Sequence, residues 1–305
     1  MNEKSKDKKT QFSVEESTLL LDFLIGKFTD KSRTTIKSLL KNKQVLIGNQ
    51  PVTKFDYALN PGDTIVIRWG KGVVTLKDPQ LSIVFEDEDF IVVEKAAGLL
   101  SIATQKEKMR TAYSILSTYL KKTNPKNRIF VIHRLDRETS GLMVFAKNEA
   151  IQAAMQNNWK FAVQQRSYIA VVEGVLQTGD GTGVGVIKSY LWESKSLIVY
   201  SSPNPDDGQL AVTRYEVLKT GDKYTLVRLQ LETGRKNQIR VHMNSIGHPL
   251  AGDMKYGGHA CALKRLCLHA DKLSFTHPRT GERLDFSSPA PVGFSKLTYE
   301  KAVKS

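Results

Sequence analysis

From Glu15 the apolar positions recur at helical spacing. In EESTLLLDFLIGKF, Leu20, Phe23, Leu24 and Phe28 share one side, which predicts a helix. Ser32 then stands as an N-cap for RTTIKSLLKN, whose Ile36, Leu39 and Leu40 make a second apolar stripe. VLIGNQPVT follows as two short β-like pieces around Gly48-Asn49, a hairpin signal. The turn LNPGD and the strand TIVIRW close this segment, which is small but large enough to fold. Residues 1–11 are polar and basic and read as a disordered tail. The periodicity lapses again over 70–81, GKGVVTLKDPQL, which reads as a linker. From Ser82 strand-length runs dominate: SIVFEDEDFIVVEK, RIFVIHRLD, GLMVFAKN, SYIAVVEG, AVTRYEVL, YTLVRLQLE and LHADKLSF. Helical patterns lie among them in AYSILSTYLKK, EAIQAAMQNNWK and RKNQIRVHMNSIG. The expected architecture is α+β. Residues 82–305 form a largely antiparallel mixed sheet with flanking helices, behind a small α/β domain at 12–69.

Charge changes the picture more than composition does. Apolar residues at 40% and charged residues at 25% are ordinary for a folded chain of 305 residues. A net charge of +14 is not, and a basic surface of that size attracts phosphate polymers by counterion release. The excess is local: Lys27, Lys31, Arg33, Lys37, Lys41 and Lys43 face one acid, Asp30, between positions 27 and 43. One-signed charge opposite an apolar stripe favours a surface turned toward RNA over a merely solvated helix. No apolar run suits a signal peptide or approaches the roughly 18 residues of a membrane span. Two cysteines, Cys261 and Cys267, make no disulfide framework. A cytoplasmic protein without membrane contact is expected.

The densest polar cluster is HRLDRETSG, behind an apolar run ending at Ile132. Strand, polar turn and strand in succession present the Asp136 carboxylate on a rigid base. An arginine partner would keep that carboxylate ionised and aimed, although a salt-bridged turn would look the same. ETGRKNQIRVHM carries Arg235 and Arg240, able to pair with a carboxylate or a phosphate. RSYIAVVEG holds Tyr168 in a strand, where a tyrosine is more often core than chemistry. HACALKRLCLH spaces two His and two Cys in a superficially zinc-like way, but misses the usual C-x2-C pattern. GDGTGVG completes no phosphate-binding motif and reads as a turn.

HRLDRETSG, RSYIAVVEG, TGRKNQIRVHMNSIGHPLAGDMKYG and LHADKLSFTHP, in that order, resemble the RluA class of pseudouridine synthases. The earlier SRTTIKSLLKNKQVLIGNQPVT…LNPGDTI resembles the alpha-L RNA-binding module. The resemblance implies an isomerase that turns uridine into pseudouridine in RNA without metal, redox or nucleotide cofactor. It implies that Asp136 is the essential carboxylate, that Arg240 pairs with it, and that Tyr168 packs on the uracil and helps to remove the proton from carbon five. Arg134 would help to hold the flipped state, and Lys31, Arg33, Lys37 and Lys41 would bind RNA. A monomer acting on large-subunit ribosomal RNA is expected, with transfer RNA as the alternative substrate. A non-catalytic RNA-binding or ribosome-assembly factor is the rival reading, and a metal-dependent nuclease lacks a ligand set. Two departures from the family pattern stand out. The chain reads Glu94-Lys95-Ala96-Ala97-Gly98 where Lys-Pro is common, and Asn237 where His is common. Neither is assigned a role in the chemistry.

Overall fold

A computed structural model of the chain describes residues 9–48, 50–69, 76–104 and 110–299. It divides into two compact units, Met1–Thr75 with Lys122–Pro125, and Leu76–Lys121 with Lys126–Ser305.

The first unit contains β1 (Lys9–Ser13), α1 (Leu20–Lys27), α2 (Arg33–Lys41), β2 (Val45–Ile47), β3 (Gln50–Pro51) and β4 (Thr64–Arg68). Strand order is β1-β4-β2-β3. β1 overlaps the segment expected as a tail: Lys9, Thr10 and Gln11 pair with Arg68, Ile67 and Val66. Their polar composition hid the strand, and Phe12 anchors it edge-on against Phe23 and Phe28. Ser32 caps α2 by accepting the Thr35 amide at 3.1 Å. Ile36, Leu39 and Leu40 are buried with Leu20, Leu24 and Ile65. Arg33, Lys37 and Lys41, four residues apart, form an exposed ridge on the other side of the helix. Lys31 is partly spent within the unit, on Asp30 at 3.1 Å and over the Trp69 ring at 5.0 Å. Asn49 of the expected hairpin and residues 70–75 of the expected linker lie outside the described residues.

The second unit opens with β5 (Leu81–Glu86), β6 (Phe90–Lys95), all but the last two residues of α3 (Ala112–Thr123), β7 (Ser140–Ala146) and α4 (Glu149–Asn157). It continues with β8 (Val163–Glu173), β9 (Val184–Glu193), β10 (Val199–Ser202), β11 (Gln209–Thr220) and β12 (Tyr224–Leu231). α5 (Gln238–Ser245), β13 (Leu268–Thr276), β14 (Arg283–Ser287) and α6 (Val292–Leu297) complete it. The sheet order is β10-β9-β11-β12-β8-β13-β7-β6-β5, with β14 on β13 and the two-residue strand Phe130–Val131 on β7. The fold is α+β, and its sheet is antiparallel except where β7 runs parallel to β13. All seven residues of β7 are buried. Met143 and Phe145 pack with Leu116 and Leu120 of α3, whereas Leu142 and Val144 pack with Ile151 and Met155 of α4. Helices on both faces remove the polar alternation that a half-exposed strand would show.

The parallel contact between β7 and β13 is short, Ser140 beside His269 and Gly141 beside Ala270. Gly141 has φ +111°, and a Cβ there would collide with the Ala270 backbone. This close approach fixes where β7 begins, four residues after Asp136. Gly141→Ala is expected to lower the free energy of unfolding by about 3 kcal/mol or more, measured by urea titration.

Candidate active site

Asp136 lies in the loop between Phe130–Val131 and β7 and is partly exposed at the edge of a cleft of about 510 Å³. Buried groups behind the loop hold its backbone. The Ser101 hydroxyl donates to the Leu135 carbonyl at 2.7 Å and accepts the Leu135 amide at 3.1 Å. Gly98 N–H and Lys95 Nζ both donate to the Arg137 carbonyl, at 2.9 and 3.1 Å. Lys95 is fully buried and also donates to the carbonyls of Ala96 and Leu99. Burial pulls its pKa down to about 7, against the opposing pull of Glu138 and Asp136. Three carbonyls converging on one ammonium fasten the 95–101 turn to the Asp136 loop. The departure at Ala96 therefore sits in the frame of the site, because the side chain of the preceding Lys95 is part of that frame.

Arg240 is carried on α5. Its Nε and Nη2 donate to Asp253 Oδ2 and Oδ1 at 2.7 and 2.6 Å, and its Nη1 stands 3.6 Å from Asp136 Oδ2. Asp253 has no exposed side-chain surface. Its Oδ1 also accepts the amides of Lys255 and Tyr256 at 3.2 Å. Burial lowers the pKa of Arg240, but the paired Asp253 and then Asp136 outweigh it and leave the guanidinium above its ordinary value. Its guanidinium carbon lies over the Tyr256 ring, 4.8 Å from the ring centre. Asn237, in the left-handed region at φ 55°, donates to the Tyr256 hydroxyl at 2.7 Å and accepts weakly from Arg240 Nη1. The second departure thus also touches the arginine.

Tyr168 lines the same cleft from β8 and is 8% exposed. Burial raises its pKa, with Asp136 and Asp271 adding and Arg166 opposing, so it stays a phenol at neutral pH. Arg134 is exposed on the cleft wall. His133 accepts the Val144 amide on Nε2 at 3.1 Å. Burial, helped by Arg166, pushes its pKa down to about 3, so the ring is neutral. The structure thus brings Asp136, Tyr168, Arg240 and Arg134 to one cleft.

Asp253, Lys95 and Ser101 escaped the sequence reading. GDMKYG carries no local sign of a buried carboxylate, and a lone lysine after a strand carries no signal of burial. The zinc-like spacing has other employment. His259 binds Glu173, His269 bonds Ser140 and Ser288, and the Cys261 and Cys267 sulfurs lie 3.7 Å apart. Among the described residues no cluster of three such groups could hold a metal, and no helix is long and apolar enough to cross a membrane.

A cleft at the middle of a broad mixed sheet, with one aspartate facing a buttressed arginine, defines a class that comparison makes specific. Residues 89–245 match the family pattern described as RNA pseudouridylate synthase. The chain is 36% identical over 282 residues to an uncharacterised RNA pseudouridine synthase, YlyB, of Bacillus subtilis, covering 90% of this chain and 91% of that one. It is 32% identical to ribosomal large subunit pseudouridine synthase D of Vibrio cholerae, covering 89% and 87%. Human RNA pseudouridylate synthase domain containing 4 superposes with a TM-score of 0.56 at 23% identity, over 70% of this chain and 90% of that one, a likeness of fold. The chain belongs to the RNA pseudouridylate synthase family. It is an isomerase.

Asp253→Ala is expected to cost about 3–5 kcal/mol of stability, because it strips the buried partner from a charged guanidinium. Asp253→Asn keeps the shape and is expected to lower kcat about 10²-fold with little change in KM, the mark of a displaced Arg240. Thermal unfolding and steady-state kinetics on both variants check this.

Proposed function

We propose that this enzyme isomerises uridines of large-subunit ribosomal RNA, with Asp136 as the catalytic carboxylate, Arg240 as its partner and Tyr168 as the surface on which the uracil packs. The observation that carries the proposal is the Asp136–Arg240 pair, 3.6 Å apart, at a cleft whose other charged lining residues are all cations. All three residues fall within the stretch that matches the family.

In the reaction the bond from ribose C1′ to uracil N1 breaks, the base turns, and C1′ bonds to C5. The C5 proton leaves to solvent and N1 gains one, so no oxidant or energy source is consumed. Asp136 acts as a nucleophile at the sugar or base, or takes a proton from the sugar. Either role requires the carboxylate within reach of the target, and Arg240 Nη1, 3.6 Å away, aims it there. Tyr168, held as a phenol, suits packing better than proton abstraction at neutral pH. A paired base cannot reach the cleft, so the uridine flips out, and Arg134 at the cleft wall supports the flipped state. The lack of any proton-accepting role in a mere RNA binder argues for the enzyme over the assembly-factor reading.

The small unit at 12–69 acts, in this proposal, as an alpha-L RNA-binding module, with the Arg33, Lys37 and Lys41 ridge against phosphates and Lys31 beside it. Ribosomal RNA is preferred to transfer RNA because a relative of similar length is named for the large ribosomal subunit. The protein works as a monomer in the cytoplasm, where ribosomes are made.

RNA tritiated at uracil C5, from cells lacking the gene, supplies the test. The wild type is expected to release tritium, whereas Asp136→Asn loses roughly 10³-fold or more of the rate. Equal release by both would remove Asp136 from the mechanism. Separately, the triple change Arg33→Gln, Lys37→Gln and Lys41→Gln is expected to weaken RNA binding and flatten its salt dependence by up to about 0.7 per lost phosphate contact, with kcat retained.

A further inference from the structure

We infer that Arg166, held over the ring of Trp159, is a clamp for a backbone phosphate of the RNA at the uridine being isomerised. The inference rests on reading the cleft as the uridine site.

Arg166 is on β8, two residues before Tyr168, and both line the cleft. The guanidinium carbon stands 5.4 Å from the Trp159 ring centre, and that indole lies against the neutral His133 ring at 5.2 Å. On another side the guanidinium crowds Gly234. A Cβ built there would come within 2.7 Å of Arg166 Nη1, so a glycine at this turn gives the group its space. The indole on one side and the glycine turn on another confine the guanidinium.

What the guanidinium lacks is an anion. Arg240 is taken by Asp253 and Asp136, Arg235 donates to the Leu210 carbonyl, and Lys236 is paired with Glu193. Among the described residues no carboxylate pairs with Arg166 and no hydrogen bond engages its donors. Burial lowers its pKa, a cost that an ion pair with substrate would reverse. A partly buried, oriented and unpaired cation beside the base site is a mismatch in the free protein that a bound anion corrects. The substrate offers one anion per nucleotide, the phosphodiester, and the planar fork matches two of its oxygens. Uracil itself is neutral and calls for no such charge. Proximity to Tyr168 places the phosphate near the flipped uridine rather than along a distant flank. Arg166 is in this reading a substrate-binding residue, and Trp159 its positioning residue.

Two variants test the inference on tritiated RNA from cells lacking the gene, with kcat/KM followed across a range of KCl concentrations. Arg166→Gln is expected to lower kcat/KM at least about tenfold, mainly through KM, and to make the slope of log kcat/KM against log salt shallower by about 0.7, the value for one single-strand phosphate. Arg166→Lys should keep the wild-type slope but raise KM severalfold, since an ammonium retains the charge and loses the fork. An unchanged slope in Arg166→Gln overturns the inference, as does a slope in Arg166→Lys as shallow as that of Gln. If Arg166→Gln is unfolded in a melting experiment, Arg166→Lys decides alone, and kinetics identical to wild type would then overturn the clamp. Should the wild type release no tritium, the reading of the cleft fails first. Arg166 is then judged by the salt slope of equilibrium RNA binding, where Arg166→Gln matching the wild type counts against it.

Discussion

One guanidinium is held from two directions. Asp253 takes Arg240 by two charge-assisted hydrogen bonds inside a region closed to solvent, which uses Nε and Nη2 and leaves Nη1 directed at Asp136. A planar fork allows this division and a lysine would not. Two carboxylates around one arginine leave an excess negative charge, and the longer, more exposed contact is the one to Asp136. Asp253 therefore saturates the arginine structurally, while Asp136 is attracted without being locked. Among the described residues no bidentate partner takes its oxygens.

The aspartate needs equal fixity from its own loop. No regular element contains Asp136, so its placement depends on what lies behind it. The buried Lys95 ammonium and the Ser101 hydroxyl supply donors to the carbonyls on either side, and Gly141 lets β7 press against β13 directly after the turn. A loop residue thereby inherits the rigidity of a sheet covered on both faces. Lys95, chemically the group one expects at a surface, is here part of the interior because three carbonyls compensate its burial.

Around this pair the cleft is a composed electrostatic environment. Arg134, Arg166, Arg235, Lys236 and Arg240 line it with only Asp136 opposite in sign, and His133 is kept neutral by its burial and the neighbouring Arg166. A polyanion is drawn to such a cleft, and the single acid within it acquires its importance from being the exception.

Much of this was legible in the sequence. Helical spacing of Ile36, Leu39 and Leu40 and strand-length apolar runs from Ser82 onward are local patterns, and local periodicity survives without knowledge of the fold. Asp136 and Arg240 lie in polar clusters visible in the sequence, whereas the roles expected of Asp136, Tyr168 and Arg240 follow from the family resemblance of the segments that hold them. What local pattern could not supply were long-range pairings. Lys9–Gln11 of β1 look like tail in the sequence because their pairing partner, β4, lies more than fifty residues away and one phenylalanine carries the packing of the strand. Asp253, Lys95 and Arg166 look like ordinary surface charges in one dimension. Only folding brings Asp253 under Arg240, buries Lys95 among carbonyls and lays Arg166 on Trp159 without an acid. Burial and partnership are properties of the folded neighbourhood, and they decide whether a charge is solvated, structural or waiting for a ligand.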